Sequence, residues 1–182
     1  LLKLSENFSK QLAKLQDKIF LCSSSEFNIN STKQLGEIMF DKLKIPGAKK
    51  NKSGSFSTNS EVLETLAEQG YEVASLVLSW REISKLKNTY TESLTNNISN
   101  KTNRVHTTIQ MTGAQTGRFS STDPNLQNIP IKSKNGKEIR KAFVSEKGYK
   151  LVCFDYSQIE LRLLAEIAQI EELRKAFNNG LD

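Results

Sequence analysis

Residues 155–162, Asp-Tyr-Ser-Gln-Ile-Glu-Leu-Arg, put two carboxylates, Asp155 and Glu160, at the junction of two apolar segments. The first segment, Leu151-Val152-Cys153-Phe154, reads as a strand buried on both faces, with Gly148 turning the chain before it. Asp155 would then stand at the strand's carboxyl end, where open α/β sheets place their chemistry. On that reading Asp155 is a metal ligand aimed into a cleft and Glu160 lies close behind it. A plainer reading is also open at this point. Ser157 and Glu160 have the S-x-x-E spacing of a capping box, which would make Asp155 a strand-end polar residue and Glu160 the partner of a cap.

A second set of candidates is basic or amide-bearing. Thr112 to Gly117 is a flexible turn that presents Arg118, and Asn125, Gln127 and Asn128 follow between Pro124 and Pro130, which stiffen the segment. Lys132, Lys134, Lys137, Arg140 and Lys141 continue the positive run. Earlier in the chain, residues 47–60 are its most loop-like part, with Lys49, Lys50 and Lys52 interleaved with Ser53, Ser55 and other small polar residues. That mixture suits phosphate contacts through ammonium groups, hydroxyls and backbone N–H, and it equally suits a solvated connection. His106 is a strand residue with a local hydrogen bond, since nothing near it in sequence would orient it as a base.

The elements that must carry these residues are mostly helical. Leu4, Phe8, Leu12, Leu15 and Ile19 recur at spacings of three and four, predicting a helix over residues 1–21 that stops at Ser23-Ser24-Ser25. Ser31 caps a second helix with Leu35, Ile38, Met39 and Leu43 inward, ending before Pro46-Gly47. Ser60 is expected to cap a short helix holding Val62, Leu63 and Leu66, which stops at Gly70. A longer helix then runs from Tyr71 to Leu94 with Val73, Leu76, Val77, Trp80, Ile83 and Leu86 inward and Arg81, Lys85 and Lys87 as its basic side. Arg104 to Met111 alternates and is rich in β-branched residues, predicting a strand. After Ser157 the helix bearing Ile159, Leu163 and Ile167 is apolar nearly all round, as an interior helix would be, and a final helix covers Ile170 to Phe177.

The net charge of +6 is uneven: +1 over residues 1–40, +8 over 41–150 and −3 over 151–182. A basic middle beside a phosphate-handling motif favours a polyanion partner. No apolar run is long enough to span a membrane. Two cysteines, Cys22 and Cys153, make no disulfide framework and point to a reducing cytoplasm. The start, Leu1-Leu2-Lys3, is not an initiation site, so a piece of a longer protein is expected.

Residues 155–162 resemble the first palm motif of family A DNA polymerases, the bacterial DNA polymerase I type. A longer match, Thr116-Gly-Arg-Phe-Ser-Ser-Thr-Asp-Pro-Asn-Leu-Gln-Asn-Ile-Pro130, lies upstream in the family's order. The likeness extends through residues 29–36 and 84–90. It implies an α+β fold: a helical thumb of long antiparallel helices with a basic loop tip over 1–100, then an incomplete β-sheet palm with packed helices over 101–182. It implies transfer of deoxynucleoside triphosphates to a primer 3′-hydroxyl, in DNA replication and repair, using two Mg²⁺ ions roughly 3.5–4 Å apart. Asp155 through its carboxylate and Tyr156 through its backbone carbonyl would hold metal, and Tyr156, Ser157, Gln158, Ile159 and Glu160 would meet the nucleotide. Glu160 would crowd the sugar's 2′ position and so reject ribonucleotides.

On the DNA side the resemblance places Arg118 in the minor groove at the primer terminus. Purine N3 and pyrimidine O2 are near-universal acceptors there, and a guanidinium fork checks for them without reading sequence. Asn125, Gln127, Asn128 and Lys132 would approach primer and template. Lys49, Lys50, Lys52, Ser53 and Ser55 at the thumb tip, with Arg81 and Lys85 on the long helix, would contact the duplex backbone. The family's fingers helix and its later His-Asp-Glu motif have no counterpart in these residues, so the isolated chain is expected to be inactive. The rival readings are a non-catalytic duplex-binding module and a single-subunit RNA polymerase; Glu160 and the Thr116–Pro130 match favour the DNA enzyme.

Overall fold

The computed structural model describes residues 1–50, 54–131 and 133–180. Lys52, Ser53 and Lys132 lie outside the described residues. Two compact units divide the chain, Leu1–Phe143 and Val144–Asp182.

The first unit is built on α1 (Leu2–Ser23), whose apolar stripe does what its spacing predicts. Phe8 and Ile19 are fully buried, and Leu4, Leu12 and Leu15 pack beside them. The helix stops at Ser24, which takes the left-handed conformation at φ 47° and returns its N–H to Leu21 and Phe20. The facing element is α4 (Glu72–Leu86). Ile19 shares one cluster with Val73, Val77 and Trp80, while Phe8 shares another with Ile83, Leu86, Tyr90 and Leu94, so the two helices run in opposite directions. α2 (Thr32–Gly36) and α3 (Ser60–Glu68) close the first cluster with Leu35, Leu63 and Leu66.

Caps explain the helix starts. Ser31 Oγ accepts from Gln34 N–H at 3.3 Å, as its position predicts. The cap of α3 falls one residue earlier than expected. Asn59 Oδ1 accepts from Val62 N–H at 3.0 Å, and Ser60 is already helical. Asn and Ser are near-equal caps, so the choice between neighbours is not a matter of side-chain chemistry.

Two π-helical turns interrupt the helices. Glu37–Lys42 continues α2, and Lys87–Glu92 joins α4 to the short α5 (Ser93–Asn96). The expected single helix over residues 71–94 is therefore a helix with one wide turn inside it, and Tyr90 sits in that turn, 2% exposed. The expected strand over Arg104–Met111 shortens to β1 (Thr108–Gln110), which pairs antiparallel with β2 (Ser120–Thr122) in the register Thr108↔Thr122, Ile109↔Ser121, Gln110↔Ser120. Ladder bonds limit the strand to the residues that have a partner. α6 (Lys134–Arg140) was not foreseen within the basic run; Ser133 Oγ caps it by accepting from Gly136 N–H at 3.1 Å. The fold of this unit is α+β, with long helices and a small sheet.

The second unit departs from expectation in three ways. Residues 151–156 form no strand, and Leu151, Val152, Phe154 and Tyr156 are exposed, Phe154 at 95%. Among the described residues no strand pairs with them, and an unpaired backbone cannot make a ladder. The helix α7 (Ile159–Ile167) forms as predicted but is not interior: only Ala165 is buried, and Ile167 is 81% exposed. It packs against α8 (Glu171–Asn178), which has no buried residue of its own. Finally, the N-cap position of α7 is Gln158, at φ 51° and without a side-chain cap bond of its own, one residue after Ser157.

Candidate functional site

The β1–β2 hairpin and the segment after it assemble the Arg118 candidates. Gly117, at φ 76°, takes the left-handed turn that delivers Arg118 and Phe119 into β2. Behind the hairpin, Ser121 is buried at 2%; its Oγ accepts from Leu126 N–H at 3.0 Å and lies 2.6 Å from Thr107 Oγ1. Thr107 Oγ1 in turn is 2.9 Å from Pro124 O. These hydroxyls fold residues 123–128 back against the strands. Sequence reasoning missed them, because Ser and Thr in a polar stretch carry no signal of burial.

Gln127 and Asn125 serve the scaffold more than the cleft. The Gln127 amide donates from Nε2 to Phe119 O at 2.8 Å and accepts at Oε1 from Ser121 N–H at 3.2 Å, bridging both sides of β2's entry. Asn125 Oδ1 accepts from Gln127 N–H at 2.9 Å. Arg118 and Asn128 stand on the wall of a cleft of about 590 Å³ with Gly117, Phe119 and Gln127. Both are exposed. The structure thus brings Arg118, Gln127 and Asn128 together, with Asn125 shaping the turn between them.

The basic tip is anchored at its base. Lys50 forms a bridge with Phe56, and its ammonium lies 5.2 Å from the Phe56 ring centroid. Phe56 packs on Phe40 at 5.1 Å between centroids. Gly36 permits this approach, since a Cβ there would fall 2.8 Å from Phe56 Cβ. Lys49 and Lys50 are exposed and Ser55 is half-buried.

The two cations of the long helix differ. Arg81 donates from both terminal nitrogens to Thr58, to its carbonyl and to Oγ1, tying the lead-in of α3 to α4. Burial lowers its pKa from the ordinary arginine value. Its guanidinium is committed inward, whereas Lys85 is exposed. Lys87 pairs with Glu92 across the π-helical turn at 2.7 Å. His106 makes the local bond expected of it, 2.6 Å from Thr102 Oγ1, but lies outside the strand.

In the second unit Asp155 and Tyr156 sit on an exposed segment outside any helix or strand. The turn at Gln158 that follows is held from the helix side: Arg162 Nε donates to Ser157 O at 2.9 Å while its guanidinium lies 4.5 Å from the Phe177 ring centroid. Arg174 donates to Glu166, to its carbonyl at 3.1 Å and its carboxylate at 2.8 Å, joining α8 to α7. Glu160 is in the first turn of α7, where a carboxylate favours the helix dipole. Among the described residues no group of three or more His, Cys, Asp or Glu could hold a metal.

The model of DNA polymerase family A matches residues 1–182. The chain belongs to DNA polymerase family A. Family A relatives include the DNA polymerase I of Rhizobium leguminosarum, 46% identical over 99% of this chain and 18% of its own length. The DNA polymerase I of Caldicellulosiruptor bescii is 47% identical over 100% of this chain and 21% of its own length. A solved structure, the POL domain of Pol1 from M. smegmatis in complex with DNA primer-template and dNTP, matches with a TM-score of 0.88 and 38% identity, over 99% of this chain and 32% of that chain. The chain spans about a fifth of the length of these curated relatives.

Proposed function

We propose that this chain is part of a DNA-directed DNA polymerase that extends a primer 3′-hydroxyl with deoxynucleotides by two-metal-ion nucleotidyl transfer in replication and repair. The observation that carries the reading is the likeness, across 99% of the chain, to a POL domain solved with primer-template DNA and dNTP. Residues 1–100 act as a thumb and 101–182 as the opening part of a palm. Arg118 and Asn128 meet the minor groove at the primer terminus, with Gln127 and Asn125 holding the cleft, and Lys132 is assigned to the primer strand. Lys49, Lys50, Lys52, Ser53, Ser55 and Lys85 take the duplex backbone. Arg81 supports that surface from within, through Thr58.

The donor chemistry at the acidic turn fits Mg²⁺ in kind. This ion prefers oxygen ligands and is commonly held by one or two carboxylates, with waters and substrate phosphates completing its shell. Asp155 and the Tyr156 carbonyl would hold it, exposed as both residues are. When bound, it supplies positive charge for the attacking and departing oxygens. The residues themselves orient the turn: Arg162 fixes the Ser157 carbonyl, and Glu160 stands one turn into α7 to exclude a 2′-hydroxyl.

The chain by itself binds duplex DNA without extending it, which is the practical form of the binding-module reading. Anisotropy titrations with a primer-template duplex at two salt concentrations, run beside primer extension, test this. The expected result is salt-sensitive binding, with log affinity falling against log salt at about −0.9 per phosphate contact, and no extension product. Robust extension, or binding indifferent to salt, contradicts the reading.

A further inference from the structure

The far wall of the Arg118 cleft is held by helices, not only by its own hairpin. Tyr90, brought inward by the π-helical turn Lys87–Glu92, donates its phenol to Asn128 O. Arg140, in the last turn of α6, donates from Nη2 to Ile129 O and from Nε to Pro130 O, each at 3.3 Å. α6 can come this close because Gly136 has no side chain: a Cβ there would fall 2.5 Å from Pro130 O. Three consecutive carbonyls, of residues 128, 129 and 130, are thereby turned onto helix-borne donors. Gln127 is turned back onto Phe119 and Ser121. The strip has little freedom left, and Asn128 stays on the cleft wall beside Arg118.

Both donors are seated on one apolar cluster. Tyr90 belongs to the cluster that contains Phe8, Leu86 and Leu94, so it reports the position of the long helices. Arg140 belongs to α6, whose Ile139 is fully buried in the same cluster as Ile129. A charged fork spent on two backbone carbonyls is not available to a phosphate in the same arrangement.

We propose that Tyr90 and Arg140 are positioning residues for nucleic-acid recognition: acting through the carbonyls of residues 128–130, they set Asn128 against Arg118 so that the pair meets the minor-groove acceptors of one base pair. This rests on the cleft being the minor-groove contact. Neither side chain touches the base pair in this role; each fixes the geometry of those that do. A preset pair of donors gains more from a correctly placed acceptor than a mobile one, because less motion is lost on binding.

The test measures binding of this chain to a short primer-template duplex at low salt, with the terminal purine either intact or replaced by its 3-deaza analogue, which lacks the N3 acceptor. In the unaltered chain the replacement weakens binding roughly three- to tenfold, the worth of one hydrogen bond. Tyr90→Phe keeps the ring and its packing but not the donor, and Arg140→Lys keeps the charge but not the fork. Each is expected to reduce the deaza penalty to less than about twofold, with the salt slope unchanged. If either variant lowers the thermal midpoint and leaves the penalty at its original size, the residue is a scaffold only and the proposal falls. If the unaltered chain is indifferent both to the 3-deaza substitution and to Arg118→Ala, the minor-groove reading itself fails and takes the proposal with it. That failure shows before any Tyr90 or Arg140 variant is made, so the two are distinguishable.

Discussion

The two units of this chain are both rich in apolar side chains and use them in opposite ways. In Leu1–Phe143 the stripe of α1 meets the stripe of α4, and Phe8 and Ile19 are 0% exposed. In Val144–Asp182 the helix α7 is at least as apolar, yet Leu163 is 53% and Ile167 81% exposed. Apolar content is therefore not what seals a core. A stripe is buried only when other apolar surface faces it, and α8, with no buried residue, offers α7 little to pack on.

The sharpest way to break this comparison is to truncate a sealed side chain. Phe8→Ala should destabilise the first unit by about 3–5 kcal/mol, read as a shift in denaturant midpoint, because a large cavity opens among helices that cannot collapse onto it. A loss below about 1 kcal/mol would mean the α1–α4 core is looser than its burial implies.

The cysteines sharpen the contrast one step further down in size. Cys22 belongs to the first unit; burial raises its pKa, the nearby Glu72 carboxylate raises it further, and Lys18 opposes them weakly. Cys153 lies exposed in the second. At neutral pH a thiol reagent should label Cys153 about tenfold faster than Cys22, followed by peptide mass spectrometry. Equal rates would mean that residues 151–154 are covered as a strand would be.

How far the sequence made this legible follows from what each signal needs. The stripe of α1 and the cap at Ser31 are complete within a few residues, and both are where they were expected. Leu151 to Phe154 has the composition of a strand, but a strand also needs a neighbour, which no local pattern supplies. β2 and α6 were passed over because their cues are weak: three Ser/Thr residues, and a helix carrying Asn135 and Gly136 with a single buried anchor, Ile139. Arg118 could be singled out by its place after Gly117. The inward turn of Arg81 and Gln127 could not, since a surface guanidinium and a buried one look alike until Thr58 and Phe119 are placed.

A smaller effect bears on the sealed unit alone. Burial raises the pKa of Tyr90 above that of a free phenol. The fold thus favours the neutral ring, so its contribution is complete below about pH 10 and is lost as pH rises through the raised value. The denaturation midpoint of the unaltered chain should fall more steeply above pH 10 than that of Tyr90→Phe; identical profiles would place the phenol in water. Smallest of all, Ile167→Ala in α7 should change stability by no more than about 0.5 kcal/mol, as at other exposed positions. A larger loss would show that the second unit hides surface after all.

The wide turn at Lys87–Glu92 carries a consequence for chain length. In a regular helix each residue advances by about 100°, so Leu86, Tyr90 and Leu94 would drift steadily off one face. Winding more residues into a single turn takes out that drift and returns Leu94 to the line of Leu86, where both are buried. Deleting one residue between them, Asn88 for instance, would leave a smoother helix on which the tyrosine no longer reaches the loop that needs it. What this stretch must preserve is its count of residues as much as their kinds, and a frame-keeping loss of a single codon there would do more harm than most substitutions.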